Sequence, residues 1–87
     1  MFTDEHLKLV HKRCSHHREA VLSSELCGCF SCGQRIRPVR FLSWTDNKQT
    51  AFCPYCGIDA VLPDNDPAFV LNAELLEAMR VRWFNYP

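Results

Sequence analysis

Cys29-Phe30-Ser31-Cys32-Gly33 and Cys53-Pro54-Tyr55-Cys56-Gly57 are the two stretches that decide the fold. Each reads C-x-x-C-G, and Cys53 follows Cys32 by 21 positions. This is the layout of a four-thiolate zinc site, with Cys29, Cys32, Cys53 and Cys56 as ligands. Zn²⁺ has no geometric preference of its own and accepts a tetrahedron of thiolates. Two residues between cysteines allow a tight turn to aim both sulfurs at one ion. A glycine after the second cysteine of each pair can take positive φ, which turns backbone N–H groups towards the sulfurs. A closed Cys₄ site leaves no position for water or substrate, so one structural Zn²⁺ is expected and catalysis is not.

Outside these knuckles, the chain is short. Its 87 residues form one expected domain, and a chain of this size buries only about 60–65% of its unfolded surface. A staple is therefore needed, and structural zinc supplies one. Six cysteines are also compatible with three disulfides in a secreted miniprotein. The acidic start Met1-Phe2-Thr3-Asp4-Glu5-His6, with no apolar run after it, does not read as a secretory leader. A reducing, cytoplasmic setting and no membrane span are expected.

The formal net charge is zero, but it is unevenly spread. Residues 1–26 balance, residues 27–58 are basic, and residues 59–87 are acidic. Four thiolates around a divalent cation carry two net negative charges. The arginines of the central segment therefore partly offset the metal centre.

Thr3 is an expected N-cap, with Asp4 and Glu5 in the first turn, of a helix over about 4–24. Leu7, Val10, Cys14, His17 and Val21 fall on one stripe, with Leu22 beside it. Leu9 and His16 fall opposite. The ribbon is expected over about 27–62. Its hairpin would run from Arg35 to Trp44, turn at Thr45–Lys48, and return over Gln49–Phe52 into the second knuckle. In that strand Val39 and Phe41 would share one face, and Arg40, Leu42 and Trp44 the other. Residues 58–62 read as a third strand. Asn72 suits the N-cap of a final helix over about 73–84, with Leu75, Leu76, Met79 and Trp83 on one face. The fold class expected is thus α+β: a small three-stranded zinc ribbon flanked by an N-terminal and a C-terminal amphipathic helix.

The chain resembles a family of short bacterial cytoplasmic zinc-ribbon proteins. These carry a CGCFxC knuckle, a TAxCPxCGIDxV segment and an M…WF ending. Here the motifs are Cys27-Gly28-Cys29-Phe30-Ser31-Cys32, then Thr50-Ala51-Phe52-Cys53-Pro54-Tyr55-Cys56-Gly57-Ile58-Asp59-Ala60-Val61, then Met79 with Trp83-Phe84. The resemblance spans about residues 27–84 and implies a small zinc-ribbon protein. It brings no assigned activity with it.

Other residues carry competing readings. Cys27 is an extra thiol or an alternative ligand to Cys29. His11, Cys14 and His17, at helical steps of three, form a possible second metal site, against the plainer reading that Cys14 and His17 belong to the core. Cys53-Pro54-Tyr55-Cys56 is also a thiol-redox motif, but such motifs open a helix near the start of a chain. His16-His17 beside C-x-x-C pairs suggests a zinc-bearing nuclease, without the histidine hairpin that chemistry uses. Asp59 has no histidine or acidic partner in sequence reach and reads as an acceptor of backbone hydrogen bonds.

Arg35, Arg37, Arg40 and Lys48, among Phe41 and Trp44, have the basic and aromatic character of a nucleic-acid surface. Val81, Phe84 and Tyr86 are a candidate surface for a protein partner. The function expected is a non-catalytic zinc-stabilised adaptor that binds protein. Nucleic-acid binding through the hairpin arginines is the alternative, and thiol redox chemistry the third.

Overall fold

The structure, a computed structural model, describes residues 2–84. Three helices flank a small antiparallel sheet in an α+β, zinc-ribbon-like arrangement. In chain order the elements are α1 (Asp4–Lys12), α2 (Arg18–Ser23), β1 (Cys27–Cys29), β2 (Arg35–Ile36), β3 (Trp44–Thr45), β4 (Thr50–Ala51), β5 (Val61–Leu62) and α3 (Ala73–Phe84). A single 3₁₀ turn, Pro38–Arg40, lies between β2 and β3.

Both expected caps are present. The Thr3 hydroxyl accepts the N–H of His6 at 3.1 Å, and Asp4 and Glu5 occupy the first turn of α1. The Asn72 side chain accepts the N–H of Leu75 at 2.8 Å and starts α3. Each cap satisfies a donor that the first helical turn leaves unpaired.

The N-terminal helix is two helices, not one over 4–24. The break spans residues 13–17, where His16 adopts φ 50°. Tertiary hydrogen bonds take the backbone away from the helix there. His16 N–H donates to the Thr50 hydroxyl at 2.8 Å, and His17 N–H donates to the Gln49 carbonyl at 2.8 Å. The predicted stripe is nevertheless buried throughout: Leu7, Val10, Cys14, His17 and Val21 all face the interior.

The sheet also differs from the expected hairpin. β1 is the central strand, paired antiparallel with β2 on one edge and β5 on the other. Cys27 opposes Ile36, and Cys29 opposes Val61. β3 and β4 form a separate two-stranded hairpin, with Trp44 opposite Ala51. The turn at Pro38–Arg40 interrupts the strand expected over 35–44. Phe41 turns inward against Trp44, while Val39 and Leu42 point to solvent.

β1 is buried on both faces. Cys27 Sγ points to the Val21 carbonyl of α2 at 3.7 Å. On the other face α3 comes so close that a Cβ at Gly28 would lie 3.2 Å from the methyls of Leu76. Leu75, Leu76 and Met79 of α3 complete a core cluster shared with Phe30, Ile36, Val61 and Leu62. An ion pair between Arg82 and Asp4 ties α3 to α1. Among the described residues, no helix is long and apolar enough to cross a membrane.

Candidate metal centre

Two turns with matching hydrogen bonds build the centre. The first knuckle joins β1 to β2, and the second joins β4 to β5. In the first, Gly33 N–H donates to the Cys29 carbonyl at 2.8 Å, and Cys29 N–H donates to the Gln34 carbonyl at 3.0 Å. In the second, Gly57 N–H donates to the Cys53 carbonyl at 2.9 Å, and Cys53 N–H donates to the Ile58 carbonyl at 3.0 Å. Gly33 and Gly57 adopt φ 78° and 77°. In that left-handed region a Cβ is unfavourable, which is why both turns end in glycine.

The turns bring four sulfurs together. Those of Cys29, Cys32, Cys53 and Cys56 all lie within 4.8 Å of one another. Two contacts run between the knuckles: Cys29 to Cys56 at 3.7 Å and Cys32 to Cys53 at 3.7 Å. A Zn–S bond of about 2.3 Å in a regular tetrahedron separates the sulfurs by about 3.8 Å. The same separations are far beyond the ~2.05 Å of a disulfide. The donor set therefore fits one tetrahedral, thiophilic cation. Cys29 and Cys53 are the buried pair, and Cys32 and Cys56 the exposed pair.

Backbone N–H groups face the sulfurs. Tyr55 N–H points at Cys53 Sγ, 3.4 Å away. The amides of Ser31 and Cys32 face Cys29, that of Gln34 faces Cys32, and that of Ile58 faces Cys56. These N–H dipoles spread the negative charge of a thiolate cluster. Burial still pushes the Cys29 and Cys32 thiols above their ordinary range. At Cys56 burial has the same tendency, but the amide of Ile58 and the adjacent thiols outweigh it and lower the pKa. Four mutually repelling sulfurs ionise together only around a cation, so metal uptake releases protons.

Cys27 lies outside the four-sulfur group, and Cys29 is the member of that group. Burial drives the Cys27 thiol up to about 11. Nor are His11, Cys14 and His17 brought together as a second metal site among the described residues. Both ring nitrogens of His17 are engaged, Nδ1 with the Arg13 carbonyl at 2.8 Å and Nε2 with the Ala51 N–H at 3.3 Å. His11 instead packs against Trp83, with ring centroids 4.1 Å apart and the planes tilted by 38°. Cys14 is buried, and desolvation raises its thiol to about 11. Asp59 is exposed, and its charge reaches His11 and Cys14.

The four basic residues are all exposed and have different neighbours. Arg35 lies beside α3 and reaches the Leu71 carbonyl. Lys48 sits in the β3–β4 turn, where its carbonyl accepts from Arg18. Arg37 and Arg40 share a groove with Val39, Leu42, Pro54 and Tyr55. Of the C-terminal trio, Phe84 packs on Phe30 with centroids 5.5 Å apart and is no exposed patch. Val81 is exposed, and Tyr86 lies outside the described residues. Among the exposed large apolar side chains, which include Val70, Leu42 and Val39 are the most open to solvent, and strand alternation had placed these two on opposite faces of a ribbon.

Cys53-Pro54-Tyr55-Cys56 forms a turn that leads into Gly57 and then β5, and it does not open a helix. No family model matches the chain, and no curated protein or solved structure matches it.

Proposed function

We propose that the chain is a non-catalytic, zinc-stabilised adaptor of the cytoplasm that holds another protein. The observation that carries this reading is the exposed apolar surface beside the Cys₄ centre, where Val39 and Leu42 are 80% and 90% exposed. A globular chain with a small core has every reason to bury such side chains, and a contiguous exposed apolar group marks a contact surface. The turn of the second knuckle is one wall of that surface, so a metal held by the four cysteines would brace it.

Three features support the non-catalytic part. Four thiolates around a tetrahedral ion leave no open coordination position. The buried thiols of Cys14 and Cys27 are driven up to about 11, away from nucleophilic character. His17 has both ring nitrogens committed to backbone groups. One Zn²⁺ per chain is part of the proposal, as is membership of the short bacterial zinc-ribbon family that the motifs resemble.

Nucleic-acid binding is the second reading, and the pairing of Arg37 and Arg40 with Tyr55 in one groove favours it. One experiment separates the two. Metal analysis of the purified chain should give one zinc per chain. Affinity isolation with the zinc-loaded protein, before and after nuclease treatment, should retain a stoichiometric protein partner in both cases. Loss of all bound material on nuclease treatment would give the surface to nucleic acid. Iron in place of zinc would overturn the metal assignment, since tetrahedral sulfur sites accept either.

A further inference from the structure

The groove between residues 37–42 and the second knuckle has a composition that narrows its occupant. Arg37, Val39, Arg40 and Leu42 form one wall, Pro54 and Tyr55 the other, around a volume of about 660 Å³. Tyr55 is 58% exposed and stands across from the two aliphatic side chains. Single exposed apolar residues are ordinary on any surface, but three on the walls of one groove are not.

The two arginines are distinct from the rest of the chain's. Arg13 pairs with Asp66, Arg80 with Glu77 and Arg82 with Asp4. Arg18 bonds the Lys48 carbonyl and lies over Trp44, and Arg35 reaches the Leu71 carbonyl. Among the described residues, the side chains of Arg37 and Arg40 have no ion-pair or hydrogen-bond partner, and no acidic residue lines the groove. A guanidinium is a forked donor that matches a carboxylate in two places.

We infer that this groove receives a short segment of a partner protein in which one or two large apolar residues are flanked by Asp or Glu. The apolar side chains enter between Val39, Leu42 and Tyr55, and the carboxylates pair with Arg37 and Arg40. This inference rests on the adaptor reading and specifies its surface. A nucleic-acid strand fits the groove less well. It needs a track of cations for successive phosphates and flat faces for its bases. Here there are two arginines, and two of the walls' side chains are branched aliphatics.

The test is a selection of random 12-residue peptides on the zinc-loaded full chain, followed by measurement with the enriched peptides made synthetically. The expected winners are net negative with a central apolar pair. On binding they should shift the backbone amide signals of residues 37–42 and of Tyr55. Leu42→Asp, and Arg37→Glu with Arg40→Glu, should each weaken binding at least tenfold. A peptide with its acids replaced by lysines should regain affinity for the double arginine variant. These positions are exposed, so zinc content and near-ultraviolet circular dichroism should stay as in the parent; Val39→Asp serves as a second groove variant.

Neutral or basic winners, amide shifts elsewhere, or affinity unchanged in the variants overturn the groove. So does competition by a 12-residue oligothymidylate whose affinity falls steeply with salt. The affinity isolation is then repeated with Leu42→Asp. Retention of the protein partner leaves the adaptor reading standing and removes the groove. Loss of the partner in this variant supports both. A parent chain that retains no protein removes the adaptor reading, and with it the inference.

Discussion

The imidazole of His17 accepts the backbone N–H of Ala51 through Nε2 at 3.3 Å. Its Nδ1 lies 2.8 Å from the Arg13 carbonyl. An amide N–H can only donate and a carbonyl can only accept, so the ring is neutral and carries its proton on Nδ1. The ring therefore joins the break between α1 and α2 to β4, two residues ahead of the metal ligand Cys53. A histidine that the sequence sets on an apolar helical stripe serves, in the break between two helices, to fix the strand that delivers a sulfur.

Acid should loosen this joint. Burial lowers the pKa of His17 below the ordinary 6.5, against a smaller rise from the Arg13 carbonyl, and the charge of His16 lowers it further. Above pH 6.5 the ring is neutral whether the chain is folded or not, and its contribution to stability is fully present. As pH falls, the unfolded chain takes up a proton that the folded chain refuses. Stability is then lost until the folded pKa is passed. Burial lowers His11 as well, with the same sign. Denaturant titrations of the zinc-loaded protein between pH 8 and pH 5.5 should show this decline. His17→Gln should lose about 1–3 kcal/mol at pH 8, from a weakened pair of buried hydrogen bonds, and show a flatter pH dependence. An unchanged slope in the variant would assign the pH dependence to other groups.

The thiols should divide into two classes. In the folded protein Cys14 and Cys27 are buried with pKa values of about 11. At pH 8 a thiol of that pKa is only about one part in a thousand thiolate, the form that reacts. Alkylation followed by mass spectrometry should therefore find both protected while zinc is bound. A strong chelator should expose all six cysteines and abolish cooperative unfolding, since metal binding is folding energy in a domain this small. Cys27→Ala should keep the metal, and Cys29→Ser should lose it. Metal retained by Cys29→Ser but not by Cys27→Ala would exchange the roles of the two.

What the sequence makes legible here is local. Thr3 and Asn72 announce their helices because a cap is a short-range hydrogen bond between a side chain and an amide three residues on. The two C-x-x-C-G turns announce the centre because the conformation of each is set within five residues. Two of the misses are tertiary and one is local. Residues 13–17 continue a helical stripe, and only the carbonyl of Gln49 and the hydroxyl of Thr50 draw their amides out of it. Cys27-Gly28-Cys29 has no alternation to mark it as a strand, because it is covered on both faces. Val39 and Leu42 alternate as strand residues should, and the turn at Pro38 cancels that pattern. Pro38, which cannot donate to a ladder, reads in the sequence as a strand edge or a bend near the strand's start, and the structure takes the bend.

The three glycines should respond to alanine for different reasons. At Gly33 and Gly57 nothing lies within 4 Å of an added Cβ, but φ is positive at both. The effect there is backbone strain, about 1–2 kcal/mol each, and asparagine should be tolerated better than alanine. At Gly28 the backbone is ordinary and the obstacle is packing: Leu76 at 3.2 Å and Leu71 at 3.4 Å. Both leucines are buried, so they have little room to withdraw. Gly28→Ala should lose about 1–3 kcal/mol by overpacking, and Leu76→Ala in the same chain should recover part of it. The three substitutions can be ranked by chemical denaturation at fixed free zinc. Additive losses for Gly28→Ala and Leu76→Ala would dismiss the proposed clash.

The β3–β4 turn holds a substitution that should stabilise the protein. Asp46, Asn47 and Lys48 all adopt positive φ, at 52°, 62° and 69°. Asp and Asn tolerate this region because their short polar side chains bond locally, and Asp46 accepts the Thr50 hydroxyl at 2.8 Å. Lysine has no such compensation. Its side chain is exposed, and its carbonyl is what the fold uses, accepting from Arg18. Lys48→Gly keeps that carbonyl and removes left-handed strain of about 1–2 kcal/mol, while glycine adds freedom to the unfolded chain that offsets up to about 1 kcal/mol. The expected net gain is about 0.5–1 kcal/mol, a rise of a few degrees in melting temperature for a domain of this size. Lys48→Ala is the control. It removes the charge and keeps the strain, so it should leave the melting temperature near that of the parent. A matching rise in both variants would trace the effect to the ammonium group rather than to the backbone.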